Sequence, residues 1–151
     1  MDKIINLNTF RHSIKVKVRF HEVDMMSVVN NAIYFTYFED ARVKYLQDLK
    51  AKYKLDEVMS NDSFFIMAHN EIDYLIPAQF DDDLIVHTKI EWIKNTSFGF
   101  KHIILNEKTG ATIAIGGGVF VHIKLSTKEK QDLPESLIMA IQNFESEAQK
   151  I

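Results

Sequence analysis

Near its N-terminus the chain has a stretch in which apolar and polar residues alternate one by one. The apolar positions of this stretch are Ile14, Val16, Val18 and Phe20. Because successive side chains of a β-strand point to opposite faces, a period of two residues indicates a strand with one buried face. We therefore predict a strand whose apolar face includes Phe20.

Residues 31–53 contain no glycine or proline and predict a long helix. Its opening turns are apolar almost all round, so they are expected to be surrounded by protein. The second half becomes charged and is expected to emerge toward solvent. These charged residues are Arg42, Lys44, Asp48 and Lys50.

The second half of the chain predicts four further strands and a last helix. The strand-like segments are 63–76, 83–94, 97–107 and 110–124. In the second of them, alternation assigns one face to Leu84, Val86, Thr88, Ile90 and Trp92. Asp132 and Glu135 have the spacing of a capping box, which predicts the start of the last helix.

The order of these elements indicates the fold class. One strand, a buried helix and four strands joined by short turns predict an α+β domain in which an antiparallel sheet wraps the helix. A further helix follows at the C-terminal end. We expect residues 1–151 to form a single domain, because 151 residues are close to the usual size of one.

Composition and charge exclude several classes of function. The net charge is −3, so no basic field indicates a nucleic acid or an anionic membrane as partner. The chain has no cysteine, hence no disulfide and no thiolate metal site. No run approaches the length of a transmembrane helix, and residues 1–11 lack the apolar core of a signal peptide. We expect a cytoplasmic protein.

Asp24 is the candidate catalytic residue, because it lies in the loop that precedes the long helix. A helix N-terminus offers unpaired backbone N–H groups and the positive end of the helix dipole. A carboxylate at that position can attack a carbonyl carbon or direct a water at it, while the amides hold the oxygen. A plain helix cap is the alternative role for Asp24, and Asn30 and Asn31 are also good capping residues.

Two segments resemble the 4-hydroxybenzoyl-CoA thioesterase-like family of hotdog-fold proteins. The first runs from Asp24-Met25-Met26-Ser27 through Asn30-Asn31-Ala32-Ile33-Tyr34-Phe35 to Glu39-Asp40-Ala41-Arg42. The second is Ile72-Asp73-Tyr74-Leu75 with Pro77-Ala78. The resemblance implies a long helix wrapped by an antiparallel sheet. It also implies assembly as homodimers or homotetramers, and hydrolysis of acyl-CoA or acyl-carrier-protein thioesters.

Carried over by position, Asp24 matches the family's catalytic carboxylate. Asn31 falls where the family's first helical turn offers a backbone N–H to the thioester oxygen. Whether Asp24 acts as nucleophile or as general base stays open, and the resemblance implies no cofactor and no metal. The chain departs from the family pattern twice. Ser27 stands where glycine is usual, and Asn31 stands where one branch has histidine.

Two other functions compete with hydrolysis. A hotdog hydratase or dehydratase generally needs a histidine beside a carboxylate, and no histidine lies between Val23 and Tyr45. A non-catalytic or weakly catalytic acyl-CoA-binding protein is the second alternative, which Ser27 and Asn31 favour. Tight binding without hydrolysis would distinguish that binder from an enzyme.

Several other residue groups have a structural interpretation beside a functional one. Gly116-Gly117-Gly118 lies within a predicted strand, where we expect it to admit the packed helix rather than a phosphate. The six histidines lack metal-ligand spacing and are expected to be solvated or at the edge of the core. Some basic residues could meet the phosphates of coenzyme A, but each is expected to be a surface charge: Arg42, Lys89, Lys94, Lys101 and Lys124.

Overall fold

The computed structural model describes residues 5–145 and 148–150, and within them one sheet is combined with two α-helices. The elements in chain order are β1 (His12–Lys17), α1 (Ile33–Tyr53), β2 (Ser63–Tyr74), β3 (Asp83–Ile93), β4 (Ser97–Asn106), β5 (Thr112–Lys124), α2 (Glu135–Phe144) and β6 (Gln149–Lys150). Short 3-10 helices lie at Leu7–Thr9 and Phe20–Glu22.

The sheet runs in the order β1-β3-β4-β5-β2, and these neighbours are antiparallel. The short β6 lies beside β3 in parallel. Helix α1 packs on the sheet with an apolar face that is almost fully buried: Tyr34, Tyr37, Phe38, Ala41, Tyr45, Leu46 and Leu49. The predicted α+β architecture, a long helix against an antiparallel sheet with a C-terminal helix, is confirmed.

Gly116 allows this close contact between helix and sheet. A Cβ atom added to Gly116 would lie 2.4 Å from Cε2 of Phe38 and 2.5 Å from the backbone oxygen of Glu71. These separations are too short for any side chain, so only glycine lets the Phe38 ring rest on β5. The predicted reason for the glycines, helix packing, is therefore confirmed at Gly116.

The strand predicted through Phe20 ends earlier. β1 pairs with β3 only as far as Lys17 opposite Asp83, and the N–H of Val18 donates to the carbonyl of Asp82 at 3.0 Å. The chain of β3 turns away before Asp83, so no ladder partner remains for Phe20. Phe20 instead begins a 3-10 helix and is 78% exposed. The prediction of a buried Phe20 was wrong.

A β-bulge changes the alternation near the end of β3. The pairing with β4 shifts between Ile90 and Trp92, so one residue of β3 has no direct partner. Ile93 consequently joins Ile90 in the core, and Trp92 turns to the other face, where its indole lies over Gly99. Alternation alone had assigned Trp92 to the face of Ile90, which was wrong.

Helix α1 differs from its prediction in both halves. Thr36 is exposed in the first turns, so the described part of the chain leaves one side of that region uncovered. In the second half, Lys44 and Asp48 are exposed as predicted, but Arg42 is only 6% exposed. Arg42 lies one turn after Phe38, on the face that meets the sheet. The prediction of a solvent-facing Arg42 was wrong.

The last helix begins at Glu135 without the predicted capping box. Pro134 is the N-cap residue, and no side-chain hydrogen bond caps the helix. The N–H of Leu133 donates to the carbonyl of Asn95 at 2.8 Å, and the carbonyl of Asp132 is near Nδ1 of His122 at 3.0 Å. Because these bonds hold 132–133 against the sheet, Asp132 does not begin the helix.

Glu145, directly after α2, is a buried carboxyl whose charge should make stability depend on pH. One carboxyl oxygen accepts the N–H of Ile90 at 2.6 Å, and burial raises the pKa of Glu145 from 4.5 to about 7. The folded chain thus keeps this proton as the pH rises past 4.5, whereas the unfolded chain loses it. Stability linked to Glu145 is therefore present below pH 4.5 and lost as the pH rises through 7.

We expect Glu145→Gln to raise the free energy of unfolding at pH 8 by about 1–2 kcal/mol and to change it little at pH 4.5. The amide oxygen can still accept the N–H of Ile90, and no charge is buried. Urea denaturation at both pH values measures the difference. Glu91→Gln, at an exposed position of β3, is the matched control and should show no such pH dependence. Equal shifts at both pH values would contradict the explanation.

Candidate active site

Asp24 begins a tight turn in the loop that leads into α1. Its carbonyl accepts the N–H of Ser27 at 3.0 Å, and its N–H donates to the carbonyl of Val28 at 2.9 Å. The carboxylate oxygen Oδ1 accepts the N–H of Met26 at 2.8 Å. The side chain is exposed, and one oxygen is held while the other has no hydrogen bond from the described residues. Asp24 is therefore oriented by its own turn.

Ser27 adopts the backbone conformation that this turn requires, with φ at +63°. Glycine reaches that region freely, whereas for a residue with a Cβ it costs about 1 kcal/mol. The turn therefore forms in this chain with serine at the position where the resemblance leads one to expect glycine. The substitution strains the loop without removing the turn.

Asn30 orders the turn that leads into α1, whose N-cap residue is Ala32 without a side-chain capping bond. Its side-chain oxygen accepts the N–H of Ala32 at 3.0 Å, and its carbonyl accepts the N–H of Ile33 at 2.9 Å. Regular helix begins at Ile33, two residues later than predicted, because 31–32 form a turn before it. The N–H of Asn31 has no hydrogen-bond acceptor among the described residues. It is a free donor at the positive end of the dipole of α1.

The loop holds Asp24 and Asn31 on one framework, since its two arms are bonded to each other. Val23 and Val29 form an isolated antiparallel bridge, and the N–H of Asn30 donates to the carbonyl of Glu22 at 2.9 Å. Val29 also donates its N–H to the carbonyl of Ala78 at 2.8 Å. The loop is thus fixed to the segment before β3 as well as to itself.

Glu22 and Tyr74 support this loop, and the sequence did not identify the role of either. Glu22 is buried, and its Oε1 accepts the N–H of Arg19 at 2.8 Å and the hydroxyl of Tyr37 at 2.9 Å. The hydroxyl of Tyr74 donates to the carbonyl of Asn31 at 2.9 Å. Tyr74 lay in the second family-like segment, but no local pattern indicates that bond, since its partner is 43 residues away.

The histidines and the basic residues that have a functional interpretation beside a structural one lie elsewhere. His69 is exposed and approaches Glu71 at 3.7 Å, and the described residues contain no cluster of potential metal ligands. His102 and His122 are buried in the core rather than solvated or at its edge, which corrects the prediction for both. Lys94 lies over the indole of Trp92, and Lys89 hydrogen-bonds the hydroxyl of Thr9 at 2.8 Å.

The arrangement has the two parts that acyl transfer from a thioester requires. An exposed carboxylate with a free oxygen can act on a carbonyl carbon, and a backbone N–H at a helix terminus can hold the developing oxyanion. A long helix packed on an antiparallel sheet, with a further helix at the C-terminal end, is the arrangement of hotdog-fold proteins.

The chain belongs to the thioesterase-like superfamily, whose family model matches residues 18–141. The acyl-CoA thioester hydrolase YbgC of Escherichia coli O6:H1 is 28% identical over 100 residues, which are 66% of this chain and 73% of YbgC. The long-chain acyl-CoA thioesterase FadM of Escherichia coli K12 is 26% identical over 115 residues, or 76% of this chain and 85% of FadM.

The architecture agrees with this membership. A thioesterase from Thermus thermophilus, crystallised with coenzyme A and Zn, is similar with a TM-score of 0.76 and 28% identity, covering 91% of this chain and 96% of that one. The predicted family, fold and enzyme class are thereby confirmed. Among the described residues, no helix is long and apolar enough to span a membrane.

Proposed function

We propose that this protein is an acyl-CoA thioesterase in which Asp24 carries out the hydrolysis. One observation carries the proposal: an exposed, turn-oriented carboxylate and a free helix-terminal N–H, that of Asn31, share one hydrogen-bonded loop. Membership in the thioesterase-like superfamily and the acyl-CoA thioesterases among its relatives support the same reaction.

Two versions of the reaction are consistent with this arrangement. In the first, the free oxygen of Asp24 attacks the thioester carbon, the C–S bond breaks, and coenzyme A leaves as the thiolate, which takes a proton from water. Water then hydrolyses the acyl–aspartyl anhydride. In the second, Asp24 removes a proton from a water whose oxygen attacks the thioester carbon; the C–S bond then breaks, and the coenzyme A thiolate leaves and takes that proton back from Asp24. In both, the N–H of Asn31 stabilises the oxyanion.

We propose that the reaction needs no cofactor or metal, because the carboxylate, the amide and water supply every group that it uses. Coenzyme A enters as part of the substrate. Acyl carrier protein stays the alternative carrier, since either carrier presents the same thioester to Asp24. We also keep the prediction of a cytoplasmic location.

A homo-oligomer built through β2 completes the proposal. β2 is an edge strand of 12 residues, so one row of its backbone groups has no strand partner within residues 5–145 and 148–150. Exposed apolar residues lie on and beside it: Ile66, Tyr74, Leu75 and Ile76. A long apolar edge requires a cover in a stable protein, and a second copy pairing along β2 provides it. Sedimentation analysis distinguishes a monomer from the dimer or tetramer expected.

A panel of thioesters tests the proposed activity. Aryl, short-chain and long-chain acyl-CoA substrates, with matching acyl-carrier-protein thioesters, are incubated with the protein, and the free thiol released is measured. We expect hydrolysis of at least one acyl-CoA well above the uncatalysed rate. Tight binding without thiol release would identify an acyl-CoA binder instead, and hydration of an enoyl-CoA would identify a hydratase.

Tyr74→Phe is expected to lower kcat by roughly 3- to 10-fold while changing KM less. The phenol hydroxyl of Tyr74 fixes the peptide of Asn31, so we propose that it positions the N–H without touching the substrate. Steady-state kinetics on the best substrate of the panel separates kcat from KM.

Tyr53→Phe is the matched control for this variant, because Tyr53 ends α1 at the opposite terminus. It should leave both kinetic constants unchanged. An unaltered kcat in Tyr74→Phe, with the fold intact, would show that the hydrogen bond to Asn31 does not contribute to the reaction.

A further inference from the structure

Ser63, the first residue of β2, has a histidine ring as the partner of its hydroxyl group. Its Oγ lies 2.6 Å from Nε2 of His122 in β5, and Nδ1 of the same ring lies 3.0 Å from the carbonyl oxygen of Asp132. A carbonyl oxygen can only accept a hydrogen bond, so Nδ1 carries a proton. In the neutral imidazole Nε2 is then an acceptor, and the hydroxyl of Ser63 donates to it. A serine, its base and a group that orients the base are thus in contact in sequence.

The imidazole of His122 is held in this orientation from several sides. Only 2% of the residue is exposed. Its backbone N–H donates to the carbonyl of Thr96 at 2.7 Å, and its carbonyl accepts the N–H of Gln131 at 3.0 Å. The ring also lies beside that of Phe65, with centroids 5.3 Å apart. A base that is fixed in this way keeps Nε2 directed at the hydroxyl of Ser63, which is the arrangement that activates a nucleophile.

Ser63 is partly exposed, in contrast to its base, and a cation lies opposite it. Lys124 is the direct partner of Ser63 in the register of β2 and β5, so the two side chains project from the same face of the sheet. Lys124 is exposed and forms no ion pair within the described residues. Its long side chain can bring a positive charge to an oxyanion that forms at Ser63.

This serine is remote from the Asp24 loop. Ser63 and Tyr74 are the first and last of the 12 residues of β2, which places them about 35 Å apart, and Tyr74 is the one that contacts Asn31. Pairing of two copies along β2 would use the backbone groups at the edge of the strand and leave the side chains on its faces. The proposed oligomer therefore does not require Ser63 to be covered.

We propose that Ser63 is a further nucleophile of this protein, activated by His122, and that it accepts the acyl group of small activated esters. Oγ attacks the carbonyl carbon as its proton passes to Nε2 of His122. The C–O bond to the leaving group then breaks, the leaving group takes that proton, and the acyl group stays on Ser63 as an ester. Water reverses the sequence: it gives a proton to His122 while its oxygen attacks the ester carbon, and Ser63 takes the proton back.

The reaction with p-nitrophenyl acetate tests this proposal in the Asp24→Asn background, where the carboxylate of Asp24 cannot contribute. We expect nitrophenol release to fall roughly 10- to 100-fold when Ser63→Ala is added. Peptide mapping after acid quenching should locate the acetyl group on Ser63. Ser97→Ala in the same background is the matched control and should leave the rate unchanged. Ser97 is likewise the partly exposed first residue of a strand, β4, and its hydroxyl has no histidine partner among the described residues.

A cysteine at the same position measures the activation without any change to His122. The chain has no cysteine, so Ser63→Cys and Ser97→Cys each introduce a single thiol. A thiol beside an imidazole loses its proton more readily than an isolated one. We therefore expect iodoacetamide to alkylate Ser63→Cys at least about 10-fold faster than Ser97→Cys at mildly acidic pH. Thermal denaturation shows whether both variants are folded.

Three results would overturn the inference about Ser63. One is nitrophenol release that Ser63→Ala leaves unchanged, and another is an acetyl group found only on other residues. The third is equal alkylation of the two thiols, which would show that the bond to His122 only joins the start of β2 to β5. A failure of the thioesterase proposal would leave these tests unaffected, because none of them uses a thioester or the carboxylate of Asp24.

Discussion

Asp24→Asn is expected to lower kcat on the best thioester at least roughly 1,000-fold while leaving the fold intact. Asparagine retains a side-chain oxygen that can accept the N–H of Met26, so the turn should persist. It cannot form an anhydride or take a proton from water, so both versions of the reaction lose their central group. Thiol release gives kcat, and thermal denaturation should give a Tm within a degree or two of the wild type.

Asp40→Asn is the matched control, because Asp40 is an exposed carboxylate on α1. It should retain full turnover. Wild-type activity in purified Asp24→Asn would refute the assignment of Asp24. Rapid acid quenching followed by mass spectrometry distinguishes the two versions of the reaction, since only a nucleophilic Asp24 transiently adds the mass of the acyl group.

Local patterns predicted the elements of the fold because each element buries one face. The period of two residues located β3, β4 and β5 to within two residues at each end, and the uninterrupted segment 31–53 located α1. The two errors in the strands arose from tertiary pairing. β1 ends where its pairing with β3 stops, and a bulge in β3 places the last residues of that strand on the opposite faces of the sheet from those predicted.

The sequence predicts only the part of the candidate site whose residues are close together along the chain. Asp24 and the two asparagines occupy a few consecutive residues, and Asn30 orders the turn before α1 by accepting the N–H of Ala32. The expected cap by an asparagine side chain does not form, because the N-cap residue is Ala32. The supporting roles of Glu22 and Tyr74 could not be predicted, since their hydrogen-bond partners come from distant parts of the chain. Arg42 was misjudged for a related reason. A basic residue within a charged stretch predicts a solvent-exposed side chain. Nothing in the sequence shows that the helical face of Arg42 meets the sheet.

Gly116→Ala is expected to lower the free energy of unfolding by about 2–3 kcal/mol, because the core cannot admit one more methyl group there. The new Cβ would overlap the ring of Phe38, a fully buried residue, and the backbone oxygen of Glu71 in β2. For a chain of this size the loss corresponds to a Tm about 5–10 °C lower. Urea denaturation of both proteins at one temperature measures it.

A second substitution separates the two overlaps. Phe38→Leu alone should destabilise the chain by about 1–2 kcal/mol, because it leaves a void beside His102. In the Gly116→Ala background the smaller side chain relieves the clash, so the double variant should be more stable than the sum of the two losses by about 1 kcal/mol or more. Strict additivity would mean that the overlap with β2 alone requires glycine. Helix packing would then not be the reason for Gly116, and the close approach of α1 to β5 would depend on other contacts.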